Sequence, residues 1–552
     1  MAAQKPAVNK LQVRVPMRDG VKLAANVFLP GREHGRMPAI LERTPYGKGS
    51  EITAGHMAFV DRGYAVVVED VRGRYDSQGS FDPLRQEGPD GDDTINWIAR
   101  QPWSDGKVGM VGGSYRGIAQ WKAALTNNPH LKAIFPVVSG YDDYRDRYYS
   151  TGGAMKLGHR LGWMSENLKA PGYRPDFSKF VLHLPLRTSD VAAIGWPSQM
   201  YRDVLAHPTF DSFWRALSVK ERLDKIKVPV FAVGGWYDNY VESDLAAFAA
   251  LHKTSGLNRV LVGPWAHNMS YQFSDADFGP ERSAPIRSLQ VEWFDQWLLG
   301  KDSALVSEPP VRIFVMGANK WREEHEWPPK DAHTRRLFLE SAGRANSLEG
   351  DGGLSDHVPS HAAEDHFVFD PRDPAPTRGG AVCCNPKVFP WGPMDQRPVE
   401  RRKDVLVYTT APMKQDLEVI GPVEVVLYVS TSARDTDFTA KLVDVFPDGY
   451  ARNLTDGILR LRYRESLEKS ELLKPGQVYR VTIDAGVTSN VFLRGHRLRV
   501  EISSSNFPRF DRNPNTGGPI ADETRLLKAN QTVYHDKEHP SQVLLKVMPG
   551  KA

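Results

Sequence analysis

Cysteine is almost missing from this chain: its 552 residues hold two, and the two are adjacent, Cys383 and Cys384. That count excludes a disulfide framework and any zinc-ligand spacing. The pair itself is expected to be two reduced, buried thiols, with a vicinal disulfide as the other reading. Long apolar runs are missing too. None approaches the ~18 residues a membrane helix needs, so no membrane partner is expected. Residues 1–10 lack the apolar core of a signal peptide, so a cytoplasmic location is expected for the chain as it stands, and a secreted or periplasmic one if a leader was removed. Nor is there an excess of charge. Lys plus Arg number 71 against 67 Asp plus Glu, a net +4, and so weak a field predicts no nucleic-acid partner. The densest charged run, residues 400–404, is bracketed by acids and reads as a solvated turn. Arg460, Arg462 and Arg464 alternate with Leu461 and Tyr463, as on the polar face of a strand.

Metal and nucleotide motifs also fail. Tyr46-Gly-Lys-Gly-Ser50 lacks the upstream glycine of a P-loop and carries Gly49 where a magnesium-binding hydroxyl belongs. Asp435, Thr436 and Asp437 lack the spacing of an EF-hand. No H-E-x-x-H occurs. No metal and no cofactor are therefore expected.

What is present is ample material for cores, 41% hydrophobic and 10% aromatic residues, over a length that predicts two or three domains. Leu11, Val13 and Val15 alternate with polar residues, Asp19-Gly20 supplies a turn, and Val21, Leu23, Ala25 and Val27 alternate back, which predicts a hairpin. Short apolar runs follow at 39–41, 65–68, 108–111, 133–138, 230–233 and 260–262. Helical patterns such as Ile118, Trp121, Leu125 or Val241, Leu245, Phe248 lie between them. Buried strands alternating with helices predict a mostly parallel sheet covered on both faces. The rhythm breaks over 141–227, rich in aromatics and prolines but without a strand run; this predicts a helical cap inserted between two sheet strands, over their carboxyl ends. Beyond about residue 300, strand-like runs at 405–408, 423–429, 438–445, 479–483 and 498–503 are joined by Pro, Gly and Asp turns, which predicts an antiparallel sandwich. Residues 350–376 read as a long surface loop. The expected division is core 1–140, cap 141–227, core 228–308 and an all-β domain over 309–552, the last boundary good to about 25 residues.

One stretch carries chemistry. Gly112-Gly113-Ser114-Tyr115-Arg116-Gly117 contains G-x-S-x-G between a strand and a helix, the setting of a nucleophile elbow. There the turn is tight, side chains larger than hydrogen would collide, and the helix amides can stabilise an oxyanion. A serine needs a base and the base an orienting carboxylate, following in the order acid then histidine just beyond later strands. The run from 228 ends in Asp238, and the run from 259 ends in His267. Three residues in that order and context predict a Ser114–His267–Asp238 triad.

Here the sequence resembles a known family, that of cocaine esterase, X-Pro dipeptidyl peptidases, alpha-amino-acid ester hydrolases and glutaryl-type cephalosporin acylases (CocE/NonD-type α/β-hydrolases). The likeness rests on "RTPYGK", "EDVRGRYDSQG", "GGSYRG", "GGWYD", "GPWAH", "PPVRIFVMGANKWR" and "DTDFTAKLVDV", which together run along nearly the whole chain. It implies an α/β-hydrolase domain with an inserted helical cap, followed by a jelly-roll domain. It also implies Ser114 as nucleophile, His267 as general base and acid, Asp238 as its orienter, and an oxyanion hole of the Tyr115 N–H and the Tyr46 phenol. Trp236, Trp265 and Trp163 are the expected substrate-binding aromatics. The expected substrate is a small-molecule ester, less favoured an amide, cleaved through an acyl-enzyme. The alternatives are an X-Pro dipeptidyl peptidase, an alpha-amino-ester hydrolase, a cephalosporin-acylase-like amidase or a noncatalytic binding protein. Members that act on free alpha-amines carry extra carboxylates just after the triad acid; here Asn239, Tyr240 and Val241 precede the first, Glu242. That departure speaks against amine substrates, although Asp142 and Asp143 leave the point open. Homo-oligomerisation stays open as well.

Overall fold

The computed structural model describes residues 8–31, 35–360 and 364–550; the first seven residues, on which most of the signal-peptide reading falls, lie outside these. The predicted hairpin is formed by β1 (Val8–Pro16) and β2 (Lys22–Pro30), with Leu11 opposite Val27 and Val13 opposite Ala25. Gly20 takes φ +85° at its turn. The parallel strands β3 (Met37–Thr44), β4 (Ala65–Asp70), β5 (Ser104–Gly113), β6 (Leu131–Val137), β7 (Phe231–Tyr237) and β8 (Arg259–Ala266) follow. They are continuous apolar runs because helices cover both faces. Among these are α1 (Ala54–Val60), α2 (Glu87–Ala99), α3 (Tyr115–Ala124), α4 (Leu157–Asn167) of the cap, α5 (Val241–Ser255) and α6 (Ile286–Leu299). The sheet order is β1-β2-β4-β3-β5-β6-β7-β8-β9-β10.

Its last members, β9 (Val311–Val315) and β10 (Lys320–Glu324), run past the boundary expected at 308. The stretch "VRIFVMGANKWREE" looks like the start of the sandwich because it is a strand-turn-strand unit. Its first strand instead pairs in parallel with β8, which closes the first sheet.

Between β6 and β7 every described element is helical. The cap aromatics that break the strand rhythm make their own core: Tyr144, Tyr148, Tyr149, Trp163 and Trp214 pack with Tyr115 of α3. From His333 to Val547 the chain is an all-β domain whose strands pair antiparallel except for one short parallel contact. Apolar side chains of β7, β8 and β9 are buried together with those of this second domain in one cluster, so the two domains share a core.

Two local expectations are corrected. Residues 350–376 are not all loop, since Gly353–Ser355 and Glu364–Phe369 are strands. The second buries Asp365, Phe367 and Phe369 on alternate positions, a strand pattern too short to stand out among prolines and glycines. The alternating arginines are not the polar face of one strand either. The strand ends at Arg460, which is buried and bonded to Asp437 and Asp511, while Arg462 is bonded to Asp435. The aspartates that hint at calcium are occupied by guanidinium groups.

Candidate active site

The parallel strands share one direction, so their carboxyl ends meet along one edge, where ligands bind in open α/β sheets. Ser114 follows β5, Asp238 follows β7 and His267 follows β8. His267 Nε2 lies 2.9 Å from Ser114 Oγ and Nδ1 lies 2.5 Å from Asp238 Oδ2. Asp238 is fully buried, and its other oxygen accepts the Tyr240 amide at 3.0 Å. The carboxylate is thus fixed by the backbone of its own loop and aims one oxygen at the imidazole. That is the relay a serine nucleophile needs.

The elbow has the backbone its glycines suggest. Ser114 sits at φ 57°, ψ −125°, a positive-φ conformation that a non-glycine residue adopts only where its surroundings over-determine it. A Cβ at Gly112 would stand 2.5 Å from Cβ of Arg116, and one at Gly117 would stand 2.3 Å from Oγ of Ser139. Both contacts are far inside van der Waals distance, so only hydrogen fits. Tyr115 is the first residue of α3, and its N–H therefore has no acceptor within the helix.

Tyr115 also ties the elbow to a buried charge network. Its hydroxyl donates to Glu87 at 2.7 Å; Arg43 donates to Glu87 at 2.6 Å and to Glu69 at 2.7 Å. Burial and the Glu87 carboxylate hold the Tyr115 phenol well above its ordinary pKa. Burial also raises the Glu69 carboxyl to about 7, against the pull of Arg43. Arg43 and Glu69 open the motifs "RTPYGK" and "EDVRGRYDSQG", whose sequence gives no sign that they meet beneath the nucleophile.

Above the triad is a cavity of about 740 Å³ lined from three directions. The core supplies Tyr46, Ser114 and His267, the cap supplies Trp163 and Glu166, and a loop of the all-β domain supplies Cys383, Cys384 and Trp391. Tyr46 accepts a hydrogen bond from the Trp163 indole at 3.1 Å. The phenol's own hydrogen stays available to a second partner, and Tyr46 shares the cavity with Ser114. Trp163 in turn stacks on Tyr115, with centroids 6.2 Å apart and planes at 7°.

Of the three tryptophans expected to bind substrate, only Trp163 lines this cavity. Trp236 is buried with its indole donating to the Phe314 carbonyl, and Trp265 donates to the Arg282 carbonyl. Both stand on strands and turn into the sheet's packing faces, so nearness in sequence to Asp238 and His267 misleads. The cysteines are bonded to each other, with Sγ atoms 2.05 Å apart; two reduced thiols are not what the fold holds.

The acids near the site are accounted for. Asp142 accepts from Arg145, and Asp143 from both Lys122 and Arg147. Glu242 lies in the first turn of α5, where burial and the neighbouring Asp484 raise its pKa. It does not line the cavity. Asp244 is fully enclosed, and burial together with Asp238 and Asp146 holds it well above the ordinary carboxylate range. Glu42 in the cavity wall is paired with Arg116 and His56. Glu166 lines the cavity with no ion pair among the described residues.

A parallel α/β sheet with an elbow serine, a following buried acid and a strand-end histidine, all within hydrogen-bond reach, defines a serine hydrolase of the α/β-hydrolase fold. Residues 19–269 match the model of the X-Pro dipeptidyl-peptidase (S15 family), and residues 304–544 match that of the X-Pro dipeptidyl-peptidase C-terminal non-catalytic domain. The chain is 40% identical to cocaine esterase of Rhodococcus sp. (strain MB1 Bresler), over 97% of this chain and 98% of that one. Among solved structures it resembles an alpha-amino acid ester hydrolase, with TM-score 0.85, 29% identity, and coverage of 99% of this chain and 98% of the other. An aminopeptidase from a marine sediment Thaumarchaeota archaeon gives TM-score 0.83 at 27% identity, covering 98% and 97%. The chain belongs to the serine-hydrolase family that holds cocaine esterase and the S15 X-Pro dipeptidyl-peptidases.

Proposed function

We propose that the protein is an esterase that cleaves small-molecule carboxylic esters through an acyl-enzyme on Ser114. His267 Nε2 takes the proton of Ser114 Oγ as the oxygen attacks the ester carbonyl. Asp238 holds the Nδ1 proton, fixes the tautomer and stabilises the imidazolium that forms. The oxyanion is received by the Tyr115 N–H and the Tyr46 hydroxyl, two donors already oriented before charge develops. His267 then gives its proton to the departing alkoxide. In the second half it activates a water that releases the acid and restores Ser114. Trp163 serves twice, orienting Tyr46 through its N–H and offering its ring to an apolar or aromatic acyl group.

The observation that carries the choice of ester over amine-bearing substrate is the disposition of the carboxylates. An ammonium group held in the site without a paired anion would be costly. Asp142, Asp143 and Glu42 are committed to arginine, lysine or histidine partners, and Glu242 does not line the cavity. Glu166 is the one observation in favour of the second reading, an alpha-amino-ester hydrolase, since it faces the cavity without an ion pair among the described residues. A matched panel separates the two: a phenyl ester, the corresponding anilide, an ester with a free alpha-amine and an X-Pro anilide. The simple ester is expected to give the highest kcat/KM. An alpha-amino ester preferred by tenfold or more, about 1.4 kcal/mol of transition-state binding, and weakened to parity by Glu166→Gln, would replace this reading with the second.

A further inference from the structure

The loop that brings the all-β domain to the cavity is pinned at its base by paired backbone hydrogen bonds between Gly380 and Gly392. Phe389 packs on Phe177 of the cap and closes on α4 at Gly158, where a Cβ would stand 3.0 Å from its ring. This seats Cys383 and Cys384 against α4 at the position of His159. One ring nitrogen of His159 and both sulfurs lie within 4.8 Å of one another. Cys383 is 3% exposed and His159 5%. Among the described residues His159 Nδ1 has no hydrogen-bond partner, an unusual state for a buried polar atom. None of the three takes part in the hydrolytic relay, yet both cysteines line the substrate cavity.

We propose that Cys383, Cys384 and His159 form a redox-gated site for one soft divalent cation, and that a cation held there obstructs the cavity. Two sulfurs bonded to each other have no thiolate to offer, so the disulfide form is closed to metal. Reduction opens it: a phosphine and water convert the disulfide to two thiols and the phosphine oxide, with two electrons passing from phosphorus to the sulfurs. The cation then displaces two protons and binds two thiolates and one neutral imidazole. This is a donor set for Zn²⁺ or Cd²⁺ rather than for Mg²⁺ or Ca²⁺, with a fourth, tetrahedral position left for water. In such a site the sulfurs stand roughly 3.7 Å apart, which follows from Zn–S bonds of about 2.3 Å in tetrahedral geometry. One ring nitrogen of His159 already lies within 4.8 Å of both sulfurs, and reduction frees the sulfurs to separate to that distance. The obstruction, unlike the metal binding, rests on this cavity being the ester site.

The test uses the full chain, Cd²⁺ as probe and two readouts. Untreated protein should show no free thiols and no cadmium–thiolate charge-transfer absorption. After phosphine reduction and desalting it should show two thiols, bind one Cd²⁺ per chain with that ultraviolet band, and release protons on binding. Zn²⁺ should displace the band. Cys383→Ser/Cys384→Ser should lack the band under either condition, and its turnover, whatever its level, should not depend on the reductant–metal combination. His159→Ala should weaken Cd²⁺ by roughly tenfold or more, since losing even a residue that only supports a ligand costs that much. Melting temperatures of reduced and oxidised protein check that the fold survives. Free thiols in the untreated protein, no band after reduction of a protein that still melts cooperatively, an equal band in the double serine variant, or unchanged affinity in His159→Ala would each overturn the site. A normal band with unimpaired ester turnover would overturn the obstruction alone.

Discussion

Removal of the Tyr46 hydroxyl separates its proposed part in the oxyanion hole from its hydrogen bond to Trp163. In Tyr46→Phe the oxyanion loses a donor, and the Trp163 indole loses its acceptor at 3.1 Å. The first loss is felt in the transition state. Removing one oxyanion-hole donor costs about 10²–10³ in kcat, or about 2.7–4 kcal/mol, with KM nearly unchanged. The second is felt in the folded state, because Trp163 is 6% exposed and a buried N–H left unpaired costs about 1–3 kcal/mol. On a large domain that is a fall of roughly 2–4 °C in melting temperature for each kcal/mol. Trp163→Phe separates the two: it removes the donor to Tyr46 without removing the phenol, so kcat should fall by about tenfold or less, the worth of about one ordinary hydrogen bond. Tyr46→Phe/Trp163→Phe should recover most of the melting temperature and none of the rate. Steady-state kinetics on a simple aryl ester and thermal melts on the three variants suffice. A kcat for Tyr46→Phe within about threefold of the parent would refute the reasoning, since no oxyanion donor is worth so little. Tyr46 would then be only the acceptor for Trp163.

Asp238→Asn should leave the site assembled while donating an amide N–H toward His267, with kcat lowered by about 10⁴; a loss of tenfold or less in stopped-time assays would place the orienting carboxylate elsewhere. Gly117→Ala drives a methyl into Ser139, which should cost roughly 1–3 kcal/mol of stability and, by shifting Ser114, up to about 10² in kcat. Gly117→Ala/Ser139→Gly should restore both, and a failure of rescue would show that the strain lies in the backbone rather than in that contact. Glu69, raised from 4.5 to about 7 by burial, binds its proton more tightly folded than unfolded. Its contribution to stability is therefore complete below about pH 4.5 and lost as pH rises through about 7, at most about 3 kcal/mol. Denaturant titrations at about pH 5 and about pH 8 should show this decline in the parent and a flatter one in Glu69→Gln, and an unchanged slope would contradict the burial argument.

The arrangement of Ser114, His267 and Asp238 was legible because its requirements are local. Glycines flank Ser114 where hydrogen alone fits, and Asp238 and His267 each end a strand in the order the chemistry demands. The cap was legible from a missing signal, the long interval between β6 and β7 without an alternating or continuous apolar run. The reading failed where the deciding partner is distant. Whether "VRIFV" joins the first sheet or begins the second, a difference inside the 25 residues allowed for that boundary, depends on its pairing with β8, which no property of the five residues records. Trp236 and Trp265 are close in sequence to the site, but strand alternation turns them into the core. Arg43, Glu69, Glu87 and Tyr115 meet beneath the elbow from four elements, and only a cluster of buried opposite charges would have pointed to them.

Ser114 Oγ is the atom proposed to be acylated in turnover. Treating the full chain with a fluorophosphonate, then digesting it for peptide mass spectrometry, tests this without choosing a substrate. One adduct per chain is expected, on the peptide that carries Ser114. Labelling should be lost in Ser114→Ala together with ester turnover, and slowed by His267→Ala. An adduct on a different serine, or turnover in Ser114→Ala above a few per cent of the parent, would contradict the account.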